Sequence, residues 1–205
     1  MDFDKYMYTN KSSLSIPFCL DIIELFEKEE KKYIGGTTGG TNPNVKDTYD
    51  YVIDNNDPKW QNYYNLLYVE LKRNINYYLQ SLNKDNIINN YNQNTIITDF
   101  RFFNTDLSIL TFQVQRYTKN KGRYVYHNDF VIDFIEKKYR VFTFIWYLNN
   151  VEEGGETAFN GNILIKPEIG KLLLFPATWT YPHCGRVPIS SDKYIITGWI
   201  YAIYK

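Results

Sequence analysis

The spacing of apolar residues predicts helices in the first third of the chain. Ser15-Ile16-Pro17 has the form of a helix start with proline in the first turn, and apolar residues continue to Phe26. A second helix is predicted from about Pro58, where apolar residues recur at steps of four and three: Trp60, Tyr64, Leu67, Leu71, Ile75, Tyr78 and Leu82. Such a stripe is typical of a helix that packs against a sheet.

From Thr95 onward the pattern changes to short runs rich in β-branched and aromatic residues, separated by glycines. The predicted strands are 96–103, 109–117, 125–134, 139–148, 163–165, 171–175 and 194–204. Strands at this spacing indicate a double-stranded β-helix, or jelly roll. The predicted fold class is mainly β with N-terminal helices (α+β). We expect a single domain over residues 1–205, with helical support and a lid loop in 1–94 and a jelly-roll core, buttressed by the helices, in 95–205.

A glycine-rich run, Gly35-Gly36-Thr37-Thr38-Gly39-Gly40-Thr41, separates the two predicted helices. Paired glycines also occur in phosphate-binding loops, but no Gly-Lys-Ser/Thr ending follows and no helix begins after them. The run therefore predicts a flexible loop, and we interpret residues 35–44 as a lid.

Composition narrows the expected partners and location. The 23 basic and 23 acidic residues cancel, so nothing indicates a surface for nucleic acid. Cys19 and Cys184 are the only cysteines, too few for a disulfide scaffold. The start of the chain has no signal-peptide pattern, and no apolar run reaches the roughly 20 residues that span a bilayer. We expect an intracellular, cytoplasmic protein without a membrane partner.

The chain has only two histidines, His127 and His183. His127 forms a His-x-Asp pair with Asp129, and His183 follows in a later strand-like run. Two imidazoles and one carboxylate are the ligand set that holds non-haem Fe(II) on one face and leaves other positions open for chemistry. A His-x-Asp triplet alone is also compatible with a hydrogen-bonded core histidine, but the ordered set predicts a metal site. Lys193, ten residues after His183, could bind an anionic co-substrate.

Several runs in order carry a resemblance to a known family. They are Gln113-Val114-Gln115-Arg116-Tyr117, Gly122 to Asp129, Arg140 to Leu148 leading into Val151 to Thr157, Pro167 to Lys171, Leu174 to Pro176, and Lys193 to Trp199. Over roughly residues 110 to 202 the chain resembles the 2-oxoglutarate- and Fe(II)-dependent dioxygenase superfamily, in particular its prolyl 4-hydroxylase-like branch. The resemblance implies Fe(II) as the metal and 2-oxoglutarate and O2 as co-substrates, with ascorbate as a further candidate cofactor.

The resemblance also implies roles for individual residues. Lys193 would neutralise the far carboxylate of 2-oxoglutarate, and the hydroxyls of Thr157 and Tyr117 would complete the anchor, because a buried carboxylate needs hydrogen bonds as well as charge. The alternative for Lys193 is an ordinary exposed lysine. For Thr157 and Tyr117 the alternative is that their side chains only pack within the strands.

A second group, Tyr124, Arg140 and Trp199, corresponds to family positions that face a peptide and its proline ring. An arginine can bond peptide carbonyls, and tyrosine and tryptophan provide a flat apolar wall with a polar edge. The alternatives are a surface salt bridge for Arg140 and core packing for the two aromatic residues.

Three functions remain open at this stage. The favoured one is hydroxylation of proline in a peptide or protein, with O2 consumed and succinate and CO2 released. The second uses the same machinery on a free amino acid or other small molecule. The third is a jelly-roll module that binds a metal without turnover. The sequence does not indicate the oligomeric state.

Overall fold

The computed structural model describes residues 3–84, 107–109, 111–160 and 162–203, so the predicted strand 96–103 lies outside the described residues. A short 3-10 helix, Phe3–Tyr6, precedes two α-helices, α1 (Ile16–Lys28) and α2 (Pro58–Lys84). Ser15 caps α1, and its hydroxyl oxygen accepts a hydrogen bond from the Phe18 amide. No helix among the described residues is long and apolar enough to cross a bilayer.

The rest of the described chain is largely strand. In chain order the strands are β1 (Tyr8–Asn10), β2 (Tyr33–Ile34), β3 (Lys46–Asp47), β4 (Tyr49–Val52), β5 (Leu107–Ile109), β6 (Gln113–Tyr117), β7 (Arg123–His127), β8 (Ile132–Asp133), β9 (Lys138–Tyr147), β10 (Thr157–Phe159), β11 (Ile163–Ile165), β12 (Leu172–Pro176), β13 (His183–Gly185) and β14 (Lys193–Ile203). They form a nine-stranded major sheet in the order β1-β12-β9-β14-β6-β4-β2, in which β5 also pairs with β14 and β8 with β9. The five-stranded minor sheet has the order β11-β10-β13-β7-β3.

Side chains alternate between the two faces of the major sheet, and each face has a different contact partner. On β9, Phe142, Phe144 and Trp146 belong to the core that also contains the buried α2 residues Trp60, Leu67, Leu71, Ile75, Tyr78 and Leu82. The intervening side chains of β9 face the minor sheet, because successive side chains of a strand point to opposite faces. The helical stripe predicted from the sequence is thus confirmed as a sheet-packing face, with Tyr64 partly buried at its edge.

This arrangement is the predicted jelly-roll core with helices on one face. Details differ from the sequence prediction. The first third of the chain also contributes four strands, β1 to β4, which are too short to show a two-residue period. The predicted strand 125–134 is divided into β7 and β8, because the chain leaves the minor sheet after His127 and joins the major sheet at Ile132. Strand β10 was not predicted, and β13, the strand-like run that begins at His183, was not among the ranges predicted as strands.

Candidate functional site

The two histidines lie opposite each other on neighbouring strands of the minor sheet. His183 on β13 is the direct register partner of His127 on β7, and their ring centroids are 4.3 Å apart. Asp129 follows the end of β7, with Oδ1 3.7 Å from His127 Nε2 and Oδ2 3.6 Å from His183 Nε2. One ligand atom from each residue lies within 4.8 Å of the others. The structure therefore brings together all three predicted metal ligands.

Hydrogen bonds orient both imidazoles toward this shared point. The Nδ1 atom of His127 is 2.8 Å from the Val125 carbonyl oxygen, and Nδ1 of His183 is 3.1 Å from that of Tyr181. A carbonyl only accepts, so each Nδ1 carries the proton and each Nε2 keeps a lone pair. Tyr124 stacks on the His127 ring at 3.5 Å between centroids. The donors and their orientation fit a 2-His-1-carboxylate Fe(II) site.

The protonation states also suit metal binding. Burial and the neighbouring His183 lower the pKa of His127 to about 4, so its imidazole is neutral at pH 7. Burial would raise the pKa of Asp129, but His183, His127 and a hydrogen bond from the Thr143 hydroxyl, 2.7 Å from Oδ2, lower it below its usual value. Neutral imidazoles and an ionised carboxylate are the ligand forms that bind metals. Thr143 was not predicted from the sequence.

His127, Asp129 and His183 line a cavity of about 330 Å³ between the two sheets. Lys193 lies in its wall and is 1 % exposed, with Nζ 2.9 Å from the Gly155 carbonyl oxygen and 3.9 Å from the centre of the Tyr117 ring. Burial lowers the pKa of Lys193 to about 7. Among the described residues Lys193 has no salt bridge. Arg186, the other basic residue soon after His183, is exposed, pairs with Glu156 and does not line the cavity.

Thr157 and Tyr117 line the same cavity. The Thr157 hydroxyl oxygen accepts a hydrogen bond of 2.7 Å from Tyr147, a buried phenol that sequence reasoning missed. The Tyr117 hydroxyl donates to Oε1 of Gln115 at 3.2 Å. Both residues thus occupy the predicted region, and both already have protein partners.

Arg140 and Trp199 form another wall of the cavity. The guanidinium carbon of Arg140 lies 3.5 Å from the Trp199 ring centre, and Nη1 donates to the main-chain oxygen of Asp129 at 3.3 Å. The Trp199 Nε1 atom is buried and has no hydrogen-bond partner among the described residues. Within the part of the chain that the structure describes, Arg140 is therefore not in a surface salt bridge, the alternative considered from the sequence.

Part of the predicted lid also contributes to the cavity. Gly36, Thr37 and Thr38 line it, and Thr37 and Gly40 close a tight turn by two reciprocal backbone hydrogen bonds of 3.0 and 2.9 Å. The loop thus lies at the cavity. Its movement as a lid stays a prediction.

Sequence reasoning missed a buried polar group in the neighbouring wall. Lys46 Nζ donates to Asp50 Oδ2 at 2.6 Å, and the Thr48 hydroxyl donates to Oδ1 at 2.7 Å. Gln115 Nε2 reaches the same Oδ2 at 3.4 Å. These residues could have been noticed in the sequence because they are polar residues inside runs of strand-forming residues, as Asp50 is between Tyr49 and Tyr51.

A double-stranded β-helix with two histidines and one aspartate facing its interior defines a class of iron oxygenases. Residues 112–201 match the model of the 2OG-Fe(II) oxygenase superfamily. This segment contains the residues discussed above for the metal and the co-substrate, and over it the chain is similar to that superfamily. It is an enzyme that uses Fe(II), 2-oxoglutarate and O2. No curated protein sequence matches the chain.

Solved structures of prolyl hydroxylases have a similar fold. The viral collagen prolyl hydroxylase of Paramecium Bursaria Chlorella virus-1, in its 2OG complex, is 20% identical with a TM-score of 0.63, covering 99% of this chain and 100% of that one. A Trichoplax adhaerens prolyl hydroxylase in complex with a peptide fragment of hypoxia inducible factor is 16% identical, with a TM-score of 0.67 and coverage of 97% and 84%. A Pseudomonas putida prolyl-4-hydroxylase is 13% identical, with a TM-score of 0.65 and coverage of 98% and 94%.

Proposed function

We propose that this enzyme hydroxylates a proline residue in a peptide or protein. The balanced reaction is O2 plus 2-oxoglutarate plus substrate C–H giving substrate C–OH, succinate and CO2. The observation that carries the peptide assignment is the buried Trp199 N–H in the cavity wall, which lacks an acceptor among the described residues. A buried donor without a partner costs about 1 to 3 kcal/mol, so it indicates an acceptor that a substrate brings, such as a peptide carbonyl.

His127, Asp129 and His183 are the proposed metal ligands. Fe(II) bound there would supply the activation of O2 that is coupled to oxidative decarboxylation of 2-oxoglutarate. The chain's own contribution is to keep both Nε2 lone pairs free and the carboxylate ionised. The Thr143 hydroxyl supports the second task, because its hydrogen bond occupies one lone pair of Oδ2 and fixes the carboxylate plane.

Lys193 is the proposed partner of the far carboxylate of 2-oxoglutarate. Its ammonium is buried beside a carbonyl and an aromatic ring, and it lacks an acidic partner among the described residues. A buried cation of this kind is stabilised by an anionic ligand. Thr157, whose hydroxyl proton is free because its oxygen accepts from Tyr147, is positioned to donate to that carboxylate.

Tyr124, Arg140 and Trp199 are the proposed substrate contacts. Tyr124 stacks on the ring of a proposed metal ligand, and Arg140 stacks on Trp199, so both aromatic rings are held in place. Such rings give a flat wall for a pyrrolidine ring, and the guanidinium retains N–H groups for a peptide carbonyl. Residues 35–44 are proposed to close over the bound peptide, in part because three of them line the cavity.

The test combines a substrate screen with a variant. Proline-containing peptides and free amino acids are incubated with Fe(II), 2-oxoglutarate and O2, and a mass gain of one oxygen atom is measured. We expect this mass gain on the proline-containing peptides. Trp199→Phe keeps an aromatic ring but removes the N–H, so kcat/KM for the peptide should fall about 2- to 13-fold, the value of one hydrogen bond. Succinate formation without substrate should stay unchanged.

Two outcomes would contradict the proposal. Turnover of a free amino acid or other small molecule, with no peptide modified, would assign the alternative substrate class. Metal binding with no O2-dependent succinate formation would indicate a binding module.

A further inference from the structure

A continuous set of polar contacts connects the edge of the cavity with the proposed co-substrate anchor. It begins at the buried ion pair of Lys46 and Asp50 and passes through the Gln115 side chain to the hydroxyl of Tyr117. The Tyr117 ring then lies 3.9 Å from the Lys193 ammonium. Asp50 is completely buried, and Gln115 is 4 % exposed. None of the contacts before Tyr117 involves a proposed metal ligand.

Asp50 determines which end of the Gln115 amide faces Tyr117. Its Oδ2 atom accepts from the Lys46 ammonium, which has only donors, so Oδ2 is an acceptor toward Gln115 as well. Gln115 must therefore present its NH2 group to Asp50. The second N–H of that group goes to Oε1 of Gln113 at 2.8 Å. The carbonyl oxygen of Gln115 is left for Tyr117, whose hydroxyl then has to donate.

The Tyr117 ring also packs closely against Gly185 of β13 in the minor sheet. A Cβ added to Gly185 would lie 3.0 Å from Tyr117 Cε1 and 3.3 Å from its hydroxyl oxygen, so the ring occupies the space that a larger residue would need. The ring is thus held by its hydroxyl, by Gly185 of the opposite sheet and by the Lys193 cation. An ammonium over a ring face is attracted by the ring's electrons, and the attraction is stronger in a desolvated site than in water.

We propose that Gln115 is a positioning residue for 2-oxoglutarate: by accepting the Tyr117 hydroxyl it holds the Tyr117 ring under Lys193, and Asp50 sets the amide orientation that makes this possible. The inference rests on the proposed assignment of Lys193 as the co-substrate anchor. Gln115 also lines the cavity, but in this proposal it acts on the ligand through Tyr117 and not by direct contact. It acts by keeping Lys193 and Tyr117 in the arrangement that the ligand meets, which reduces the ordering needed on binding.

The primary measurement is the Kd of 2-oxoglutarate for the Mn(II)-loaded protein by titration calorimetry, which does not depend on turnover. Gln115→Leu removes the acceptor, and Gln115→Met serves as a second variant of similar length if the first is poorly folded. We expect either to weaken binding about 2- to 13-fold, the value of one hydrogen bond. Gln61→Leu is the control for the same substitution, because Gln61 is exposed on α2 and does not line the cavity. Its effect should stay within about twofold.

A double-mutant cycle separates positioning from general loss of structure. If Gln115 acts through the Tyr117 hydroxyl, Gln115→Leu should have no further effect on the Kd in a Tyr117→Phe background. Additive effects of the two substitutions would overturn the proposal. Tighter binding in Gln115→Leu would also overturn it, because Gln115 would then be competing with the ligand for the phenol.

Lys193→Ala distinguishes this inference from the assignment on which it rests. If Lys193→Ala leaves the Kd unchanged, the anchor itself is wrongly assigned. If Lys193→Ala weakens binding and folded Gln115 variants bind normally, the anchor stands and the positioning role is refuted.

Discussion

Arg140 and Trp199 form a stacked pair in which the guanidinium carbon lies 3.5 Å from the indole ring centre. The same guanidinium donates to the main-chain oxygen of Asp129, at 3.3 Å. One side chain therefore contacts both the proposed substrate wall and the backbone of a proposed metal ligand. Substitution of Arg140 should affect substrate use first, because the carboxylate of Asp129 keeps its own bond from Thr143.

Arg140→Ala should lower kcat/KM for a proline peptide by about 10 to 150 fold, the value of a hydrogen bond to a charged group. Succinate formation without peptide should fall much less, since the metal ligands and Lys193 are untouched. Coupled and uncoupled rates are measured side by side, with Arg123→Ala, an exposed arginine on β7, as the control. Equal losses in the coupled and uncoupled rates would indicate that Arg140 has a structural role and does not bind the peptide.

Asp129→Ala removes one of three proposed metal ligands and should abolish 2-oxoglutarate turnover. Metal content after dialysis against Fe(II) or Mn(II) should fall with it, because the two imidazoles alone hold the ion weakly. Asp133→Ala is the matched control, since that carboxylate bonds only the backbone of its own turn in the described structure. Full hydroxylase activity in Asp129→Ala would refute the ligand assignment.

Lys193→Ala should weaken 2-oxoglutarate binding by about 10 to 150 fold while metal binding persists. The far carboxylate would lose its charge partner, and the ligands of the metal would remain. Calorimetry on the Mn(II)-loaded protein measures the effect. Lys171→Ala, a buried lysine outside the cavity, should bind 2-oxoglutarate normally. An unchanged Kd in Lys193→Ala would place the anchor at another residue.

The affinity for 2-oxoglutarate should also depend on pH. Burial lowers the pKa of Lys193 to about 7, so in the free enzyme the ammonium is present below that pH and is lost as the pH rises through it. The Kd should therefore be lowest at pH 6 and should rise by up to about tenfold per pH unit above 7. Titrations between pH 6 and 8.5 test this. Lys193→Ala should give a flat profile over this range, and a flat profile in the unaltered enzyme would contradict the prediction.

Asp50→Ala should destabilise the fold by about 3 to 5 kcal/mol, because it leaves the Lys46 ammonium buried without its carboxylate. Urea unfolding followed by circular dichroism measures the free energy of unfolding. Thr48→Val removes one hydrogen bond to the same carboxylate and should cost only about 1 kcal/mol. A loss in Asp50→Ala no larger than that of the control would show that Lys46 finds another partner or reaches solvent.

The grouping of the three proposed metal ligands could be predicted from the sequence because the chain offers so few candidates. The chain has only two histidines, and Asp129 follows two residues after His127, so few sets of ligands are possible. The strand pattern around the histidines indicates that they are buried. The α2 stripe was predictable for a similar reason: a helix of this length repeats its signal many times. In both cases the pattern lies within a short stretch of sequence or is repeated many times along one helix.

The polar group around Asp50 could not be predicted in this way. Asp50 lies on a four-residue strand and meets Gln115 only because β4 pairs with β6, and Lys46 reaches it from the other sheet. Strands β3 and β4 are too short to show a period, and their register depends on contacts across the whole fold. The hydrogen bond of Tyr147 to Thr157 has the same origin, since β9 and β10 lie in different sheets.

Strand β14 carries both Lys193 at its start and Trp199 further along, on the same face. Six residues of extended chain separate them by about 20 Å. This length is constant for any substrate, because β14 is paired on both sides, with β6 and β9. If Lys193 and Trp199 bind co-substrate and substrate as proposed, a substrate of different size would have to be accommodated by the segments that leave the sheets, such as residues 35–44, and not by β14.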